Sequence, residues 1–451
     1  MRLAPALICW QRRHGRHHLP WQMTRAGLGL STVTVDEGLS VGAGRGASSG
    51  DGDVKTPPMR QCREGRQAGG GQPPAGAGVL RDPYRVWLSE VMLQQTQVTT
   101  AIPYFERFLA AFPTVSDLAA AESEQVMGLW AGLGYYSRAR NLHAAARRVA
   151  AAGGVFPSEP ADLQALPGVG RSTAAAIAVF GFGRRAAILD GNVKRVLSRV
   201  FAIDADPAQA ATLRRLWALA EAELPADGAG AADMIAYTQG LMDLGAMVCT
   251  RTAPACGRCP LAELCRARAE GQPERYPRPR ARKAQPVREV HFLLLRQGDQ
   301  VLLAARPERG LWGGLWALPE LPAAPSADWR LAGGFQHVFT HFRMDARVWM
   351  PPVGVALPFV PGAMAEECRR GEVPGEPARC AEPSADSVAG YPGEEFGVAP
   401  DRSARASAQA LLVAAIPPIV AQRWVSPRRL GGLPLPTPIR NWLERADLQS
   451  T

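Results

Sequence analysis

The chain has 451 residues, and its 51 lysines and arginines outnumber its 41 aspartates and glutamates, which gives a formal net charge of +10. A chain of this length can bury two cores, and its positive charge favours a polyanionic partner such as nucleic acid. The longest uncharged apolar stretch, Val348–Ala365, contains four prolines, which excludes a membrane helix. An N-terminal apolar patch is interrupted by Pro5 and followed by basic residues. We therefore expect no secretory signal and a cytoplasmic, nucleoid-associated bacterial protein.

The first half of the chain predicts a helical domain over residues 1–272. Residues 22–80 are rich in glycine, proline and serine, which predicts a flexible insertion. Asp82 and Pro83 then supply an N-cap and a proline at the first helical position, so a helix begins there and runs through WLSEVMLQQ. Further helical patterns occur in IPYFERFLAAF, SEQVMGLW, RARNLHAAARRVAA, RSTAAAIAVF, GNVKRVLSRVF and TLRRLWALAEAEL.

The second half predicts a different fold class. Residues 273–288, PERYPRPRARKAQPVR, are basic and punctuated by proline, which predicts an extended linker. Beyond it, EVHFLLL and VLLAA flank a Gly-Asp turn, which indicates a hairpin, and FRMDARVWM alternates apolar and polar residues. We therefore predict an α+β domain over residues 289–447, with a second flexible insertion at 358–416 that is rich in proline, glycine and glutamate.

Four of the eight cysteines are clustered: Cys249, Cys256, Cys259 and Cys265 have the spacing C-x6-C-x2-C-x5-C. Four thiolates at this spacing can enclose one metal centre, either a tetrahedral zinc ion or an iron–sulfur cluster. A set of unrelated buried cysteines is the alternative. The remaining cysteines are scattered singly, which indicates a reducing compartment rather than a disulfide framework.

The segment LPGVG, residues 166–170, precedes an alanine-rich helical pattern. It is similar to a helix-hairpin-helix motif, in which glycines such as Gly168 and Gly170 let the backbone approach a DNA phosphate. Taken alone, the segment fits equally well an ordinary helix–helix turn with Ser172 or Thr173 as the N-cap. Asp190 lies about twenty residues further on, before another helix, where it also fits a simple N-cap.

Five segments carry a resemblance to a known family: WLSEVMLQQTQV, GLGYYSRARNL, LPGVGRSTAAAI, ILDGNVKRV and MDLGAMVCT. Together they resemble the MutY-type adenine DNA glycosylases of the endonuclease III superfamily, which remove adenine mispaired with 8-oxoguanine. The resemblance implies a mainly α-helical helix-hairpin-helix glycosylase domain with an iron–sulfur loop and a C-terminal α+β Nudix-like domain. It also implies a monomer without a membrane partner, whose substrate is double-stranded DNA with 8-oxoguanine:adenine or guanine:adenine mispairs.

For the four cysteines, the resemblance implies a structural [4Fe-4S] cluster beside a basic loop. Arg251, Arg258 and Arg266 would supply the positive charge of that loop. The side chains and turn that the resemblance places against DNA are Gln95, Tyr135, Gly168, Gly170, Ser172, Asn192 and Lys194.

Glycosidic cleavage calls for two carboxyl groups, because adenine leaves only after protonation and the sugar becomes oxocarbenium-like. The resemblance implies that Glu90 protonates adenine at its seventh position and later helps to activate water. Trp87 and Val91, nearby in sequence, are expected to raise the pKa of Glu90. Asp190 would stay ionised and stabilise the sugar cation, while Asn192 positions neighbouring groups. A surface glutamate at helical spacing is the alternative for Glu90.

Ser172 occupies the position at which bifunctional relatives have a lysine that attacks the sugar and forms a Schiff base. A serine hydroxyl cannot do this, so we predict a monofunctional glycosylase that leaves an abasic site. Lys194 could at most form an adventitious adduct with the product.

Base extrusion leaves a vacancy in the duplex that a protein side chain must fill. The resemblance assigns this wedge role to Gln95 and Tyr135, with a helix-surface position and a core position as the respective alternatives. Trp21 and Gln239 match positions that line the adenine pocket.

The segments GLWGGLWALPE and FQHVFTHFRM resemble the Nudix-like domain with which adenine glycosylases read 8-oxoguanine. The Phe-Ser-His element of that family is Phe339-Thr340-His341 here, and threonine keeps the hydroxyl but adds a methyl group. A strand histidine without a special role is the alternative for His341. No acidic helix after Gly314 could hold magnesium, which disfavours a Nudix pyrophosphohydrolase.

Two other functions remain alternatives. One is a non-catalytic iron–sulfur DNA-binding protein. The other is a glycosylase and AP lyase for oxidised pyrimidines of the endonuclease III kind, which Ser172 and the C-terminal domain disfavour.

Overall fold

The computed structural model describes residues 3–23, 80–278, 284–352 and 421–446, together with 408–415 apart from 409 and 413. The chain divides into two compact units, one of residues 1–120 and 141–282 and the other of residues 121–140 and 283–451. We call them the helical unit and the sheet unit. Most of the two predicted insertions, 22–80 and 358–416, lies outside the described residues.

Helices account for most of the described chain before residue 280. In chain order they are α1 (Ala4–His14), α2 (Pro83–Leu93), α3 (Val98–Ala111), α4 (Val115–Ala120), α5 (Ser123–Trp130), α6 (Ser137–Ala151), α7 (Pro160–Gln164), α8 (Arg171–Phe182), α9 (Gly191–Val200), α10 (Ala210–Ala222), α11 (Ala231–Met247) and α12 (Arg266–Ala269). The segment that carries α5 groups with the sheet unit. The helical patterns predicted from the sequence are therefore confirmed.

The helix ends show which sequence signals operate. Asp82 caps α2 by accepting a hydrogen bond from the Arg85 N–H at 2.9 Å, and Pro83 is its first residue, as predicted. The helix ends at Leu93, before the two glutamines of the apolar pattern. Helix α8 begins after Gly170, which caps it without a side-chain hydrogen bond. The alternative in which Ser172 or Thr173 is the N-cap is therefore wrong.

The core of the helical unit forms where α2 and α11 pack against α8, and where α1 and α9 pack against α11. Trp87, Tyr237 and Phe105 are among the largest fully buried side chains of the described chain. Helix α8 supplies eight consecutive buried residues from Ala174 to Gly181, because its small side chains allow neighbours on several sides. No helix among the described residues is long and apolar enough to cross a membrane.

The sheet unit contains two small sheets. Its strands are β1 (Val287–Leu293), β2 (Arg296–Gln297), β3 (Gln300–Ala305), β4 (Trp316–Ala317), β5 (Glu320–Leu321), β6 (Arg330–Val338), β7 (Arg343–Met350) and β8 (Gln422–Val425), and helix α13 (Thr437–Arg445) follows. One sheet has the order β5-β1-β7-β6, in which β1 and β7 are parallel; in the other, β3 pairs with β2, β4 and β8. The α+β prediction is confirmed.

Three details of the prediction need correction. The predicted hairpin of EVHFLLL and VLLAA does not form. The Gly-Asp turn instead joins β3 to the short β2, and β1, which contains most of EVHFLLL, pairs with β5 and β7. The predicted linker 273–288 begins as folded chain, because Tyr276 is 5% exposed and its carbonyl accepts a hydrogen bond from Arg199. The predicted insertion 358–416 ends too late, because Ala408, Leu412 and Ala415 are helical and buried in a core cluster with Leu293 and Trp329.

Candidate active site and metal centre

The turn at residues 166–170 is a tight hairpin before α8. The Val169 N–H donates to the Leu166 carbonyl at 3.1 Å, and Gly168 has φ +76°. A Cβ atom at Gly168 would lie 2.8 Å from Cβ of Asn141, so the position requires glycine for both its backbone conformation and its space. Since Gly170 caps α8 without a side chain, the first N–H groups of α8 remain available to an anion.

Asp190 begins α9, and its Oδ1 accepts a hydrogen bond from the Val193 N–H at 2.7 Å. Arg195 joins the same first turn to two other parts of the helical unit, because it donates to Asn192 Oδ1 (2.8 Å), to the Gly245 carbonyl (2.6 Å) and to the Cys249 carbonyl (2.7 Å). Asn192 thus orients Arg195, and its Cβ packs so closely on α11 that a Cβ atom at Gly245 would clash with it.

Glu90 lies in the last turn of α2, among buried neighbours that include Trp87 and Val91. Glu90 itself is partly exposed, unlike most residues of this helix. Burial and the nearby Asp190 carboxylate raise the pKa of Glu90, while the Arg81 guanidinium lowers it. The net result is a pKa of about 7. With a pKa near 7, Glu90 can carry a proton at neutral pH, and its catalytic role stays a prediction.

A buried polar network lies beside Glu90. Arg81 is 7% exposed, lies 4.2 Å from the Phe180 ring centroid and donates to Gln239 Oε1 at 3.2 Å. Gln239 donates to Asp243 Oδ1 at 3.0 Å, and Arg16 closes the network by donating to both oxygens of this fully buried carboxylate. Burial lowers the pKa of Arg81 to about 10, so it remains a cation at neutral pH.

The two predicted catalytic carboxyl groups therefore share one electrostatic environment, although a hundred residues separate them. Burial raises the pKa of Asp190 as well, but the backbone N–H groups of Val193 and Asn192, and then Arg195 and Lys194, act in the opposite direction. Those N–H groups lie at a helix N-terminus, where a negative charge is favoured. At Asp190 these N–H groups and cations offset part of the effect of burial, whereas at Glu90 burial and the Asp190 carboxylate outweigh Arg81.

Gln95 and Tyr135, the predicted wedge residues, share an uncommon backbone conformation. Gln95 has φ +58° and Tyr135 has φ +49°, a region that non-glycine residues rarely occupy. Gln95 is exposed beyond the end of α2, and the Tyr135 side chain is 47% exposed. The helix-surface and core alternatives are therefore wrong, and strained, exposed side chains are typical of functional positions.

The predicted adenine-pocket residues are less accessible. Trp21 lies in a short 3₁₀ turn, is 5% exposed and packs edge-on against Phe105. Gln239 is 4% exposed and uses both ends of its amide for Arg81 and Asp243. A direct contact of either residue with adenine stays a prediction.

The four clustered cysteines line a single cavity. Burial is the main cause that raises the pKa of Cys259 to about 12, and the charges of the other three cysteines contribute in the same direction. Four thiolates brought this close would repel one another unless a metal neutralised their charge, so the residue types fit a metal centre. Within the described residues, however, no group of three or more histidine, cysteine or acidic side chains is arranged to hold a single metal ion.

Arg199 ties this cavity to the rest of the helical unit. It is 2% exposed and donates to Cys249 Sγ at 3.3 Å, to the Thr250 carbonyl at 2.6 Å and to the Arg251 carbonyl at 3.0 Å. A buried guanidinium with carbonyl and thiolate partners stabilises negative charge on the sulfur atoms. Arg251, Arg258 and Arg266 lie in or directly beside the cysteine loop, as predicted from the sequence.

In the sheet unit, Phe339-Thr340-His341 forms the tip of the β6–β7 hairpin. The Phe339 N–H donates to the Phe342 carbonyl at 2.9 Å, which closes the turn and leaves Thr340 and His341 exposed. The strand-histidine alternative is therefore wrong. The hydroxyl groups of Tyr135 and Thr340 lie 3.3 Å apart, so Tyr135 and the hairpin tip meet within this unit.

Sequence reasoning missed the charged residues behind the site. Arg81 is adjacent to the predicted N-cap Asp82, Asp243 lies in the largely apolar α11, and Arg199 lies among the buried residues of the amphipathic α9. The signal was present, because a charge in a buried helix is rarely found without a partner. Only the fold, however, identifies which partner.

Comparison with known proteins supports this picture. Residues 88–222 match the family described as "HhH-GPD superfamily base excision DNA repair protein", and residues 290–383 match the NUDIX domain. The chain is 33% identical over 290 residues to adenine DNA glycosylase of Buchnera aphidicola subsp. Acyrthosiphon pisum (strain APS), over 61% of this chain and 80% of that protein.

It is also 40% identical over 345 residues to adenine DNA glycosylase of Homo sapiens, over 61% of this chain and 62% of that relative's length. Among solved structures, a thermostable thymine-DNA glycosylase is 27% identical with a TM-score of 0.38, over 42% of this chain and 85% of that chain. Because the chain is 33% identical to the Buchnera adenine DNA glycosylase and covers 80% of its length, it belongs to the adenine DNA glycosylase family.

Proposed function

We propose that this protein is a monofunctional base excision repair glycosylase that flips adenine out of an 8-oxoguanine:adenine or guanine:adenine mispair and hydrolyses its N-glycosidic bond. The observation that carries the proposal is the electrostatic pairing of Glu90 with Asp190, in which the pKa of Glu90 rises to about 7. In the bacterial cytoplasm, the substrate would be nucleoid DNA.

Glu90 acts as the general acid. It transfers its proton to the ring nitrogen at position 7 of adenine, so the base departs as a neutral leaving group when the C–N bond breaks. The bonding electrons go to adenine, and the sugar is left as an oxocarbenium-like cation. Arg81 favours the ionised form of Glu90 that this transfer produces.

Asp190 stabilises the sugar cation with its negative charge, which the N-terminus of α9 maintains. Water then adds to the sugar carbon, and ionised Glu90 takes the proton that the water loses. Glu90 is thereby returned to its starting state, and the products are free adenine and an abasic site.

Ser172 supports the monofunctional assignment. Its hydroxyl accepts a hydrogen bond from the Leu189 N–H at 3.0 Å, and no amine is present at this position to attack the sugar. Lys194 has its own place in the first turn of α9, where its charge favours ionised Asp190. Strand cleavage would therefore require a separate enzyme or added base.

The cavity lined by Cys249, Cys256, Cys259 and Cys265 fits a structural [4Fe-4S] cluster. Its four thiols supply the complete ligand set of such a cluster. When bound, the cluster would hold the loop that presents Arg251 and Arg258.

The sheet unit would read the base opposite adenine. Thr340 and His341 are exposed at a closed hairpin tip, and Tyr135, which contacts Thr340, has the strained conformation expected of a wedge. A hydroxyl and an imidazole can donate or accept hydrogen bonds at the edge of 8-oxoguanine.

The decisive experiment measures free adenine released from duplexes that carry adenine opposite 8-oxoguanine, guanine or thymine. We expect wild type to release adenine opposite 8-oxoguanine and guanine but not opposite thymine, and to leave the strand unbroken without added base. The Glu90→Gln variant should release no adenine but still bind the duplex. Equal behaviour of Glu90→Gln and wild type would favour the non-catalytic DNA-binding alternative. Coupled strand cleavage would favour the lyase alternative.

A further inference from the structure

We propose that Ser172 is a positioning residue for catalysis, whose hydroxyl holds the chain that leads into Asp190 and so couples the hairpin turn to the catalytic aspartate. The proposal rests on the glycosylase function above. In this proposal Ser172 does not contact DNA. Its role also goes beyond occupying the position at which bifunctional relatives have a lysine.

The contact on which the proposal depends is long-range in sequence and short in space. The Leu189 N–H donates to Ser172 Oγ at 3.0 Å across seventeen residues. Leu189 is 3% exposed and lies in the extended segment between α8 and α9. A buried backbone N–H in irregular chain requires a partner, and the hydroxyl of Ser172 provides it.

The contact fixes the position of Asp190 relative to Glu90. Ser172 is in the first turn of α8, and α2, which carries Glu90, packs along α8. Pro83 at the start of α2 lies against Gly181, and Gln94 just beyond its end donates to the Gly168 carbonyl at 3.4 Å. Helix α8 is therefore the common support of both carboxyl groups. Among the described residues, the Asp190 side chain accepts hydrogen bonds from N–H groups of its own helix, which do not tie Asp190 to α8.

The same contact explains the side-chain chemistry that residue 172 tolerates. The hydroxyl of serine or threonine accepts a hydrogen bond, sulfur accepts weakly, and an ammonium group or a methyl group does not accept at all. Because Ser172 follows the hairpin by two residues, DNA bound at the turn acts on Asp190 through a single hydrogen bond. A displacement of about 1 Å at a catalytic group can reduce a rate by two orders of magnitude.

The test compares Ser172→Ala, Ser172→Cys and Ser172→Thr with Thr173→Ala, a neighbouring control whose side chain makes no hydrogen bond within the described residues. Two quantities are measured on an 8-oxoguanine:adenine duplex: the single-turnover rate of adenine release, and the Kd for a duplex with an uncleavable adenine analogue. A third measurement, amide hydrogen exchange of the peptide that contains Leu189, requires no activity.

We expect Ser172→Ala to release adenine at least about ten-fold more slowly, a factor equivalent to about 1.4 kcal/mol, with Kd within about two-fold of wild type. Ser172→Cys should lie between Ala and wild type, while Ser172→Thr and Thr173→Ala should match wild type. Exchange at Leu189 should accelerate only in the Ala and Cys variants.

Wild-type rate in Ser172→Ala would overturn the proposal, and so would a weakened Kd with an unchanged rate, which would make Ser172 a DNA contact. If Ser172→Ala does not fold, the Cys and Thr variants still give the ordered series, and equal rates in these two would refute it. Failure of the proposed function looks different, because wild type would then release no adenine while the exchange pattern at Leu189 would be unaffected.

Discussion

Replacement of Glu90 by glutamine tests the electrostatics of the site without depending on activity. The pKa of Glu90 is raised from 4.5 to about 7, so the folded protein holds this proton over a pH range in which the unfolded chain has lost it. This carboxyl group therefore favours folding at low pH, and that contribution is lost as the pH rises through 7. The glutamine side chain of the Glu90→Gln variant cannot ionise, so its contribution to stability is the same at every pH.

The size of the effect follows from the shift. A pKa difference of about 2.5 units, at about 1.4 kcal/mol per unit, is a penalty of about 3.5 kcal/mol for ionised Glu90 in the folded state above pH 8. At pH 5 the unfolded carboxyl is partly protonated and the penalty is below about 1 kcal/mol. Glu90→Gln should thus gain about 2 to 3 kcal/mol over wild type between pH 5 and pH 8.5.

The assay is thermal unfolding of both proteins at several pH values, followed by far-ultraviolet circular dichroism. For a unit of about 200 residues, 1 kcal/mol changes Tm by about 2 to 4 °C, so the gain should be at least about 4 °C. Asp243→Asn is a useful contrast, since it breaks a buried ion pair and should lower Tm at every pH. A Tm difference between Glu90→Gln and wild type that does not change with pH would refute the reasoning.

Three further predictions concern activity and the metal centre. Adenine release by wild type should decline as the pH rises through about 7, because the acid form of Glu90 is lost; a single-turnover profile flat to pH 9 would contradict this. Asp190→Asn should slow release by at least about 100-fold with unchanged Tm, because asparagine caps a helix as well as aspartate does; a lowered Tm would indicate a structural role instead. Cys259→Ser should lower the iron content of purified protein and its urea midpoint together, because the loop loses a ligand of the centre; full iron content would exclude Cys259 as a ligand.

The sequence predicted most of the helices because their signals are local. Asp82 and Pro83 mark the start of α2 by chemistry within one turn, and Gly168 of LPGVG marks a turn whose positive φ and tight space require glycine. The sequence-based prediction was wrong at domain and insertion boundaries that depend on contacts with residues far away in the chain. Tyr276 lies in the predicted linker but packs in the helical unit. The helical residues at 408–415 lie in the predicted flexible insertion but belong to a core cluster.

By itself, then, the sequence determined two domains, the cysteine loop and the identities of the two candidate carboxyl groups, since residue type and spacing carry that information. Tertiary structure alone decided that Glu90 and Asp190 interact, that Arg81 lies beside them, and that Leu189 donates to Ser172. The physical reason is that a pKa and a long-range hydrogen bond depend on distance and burial, and neither quantity exists until chain segments far apart in sequence have packed together.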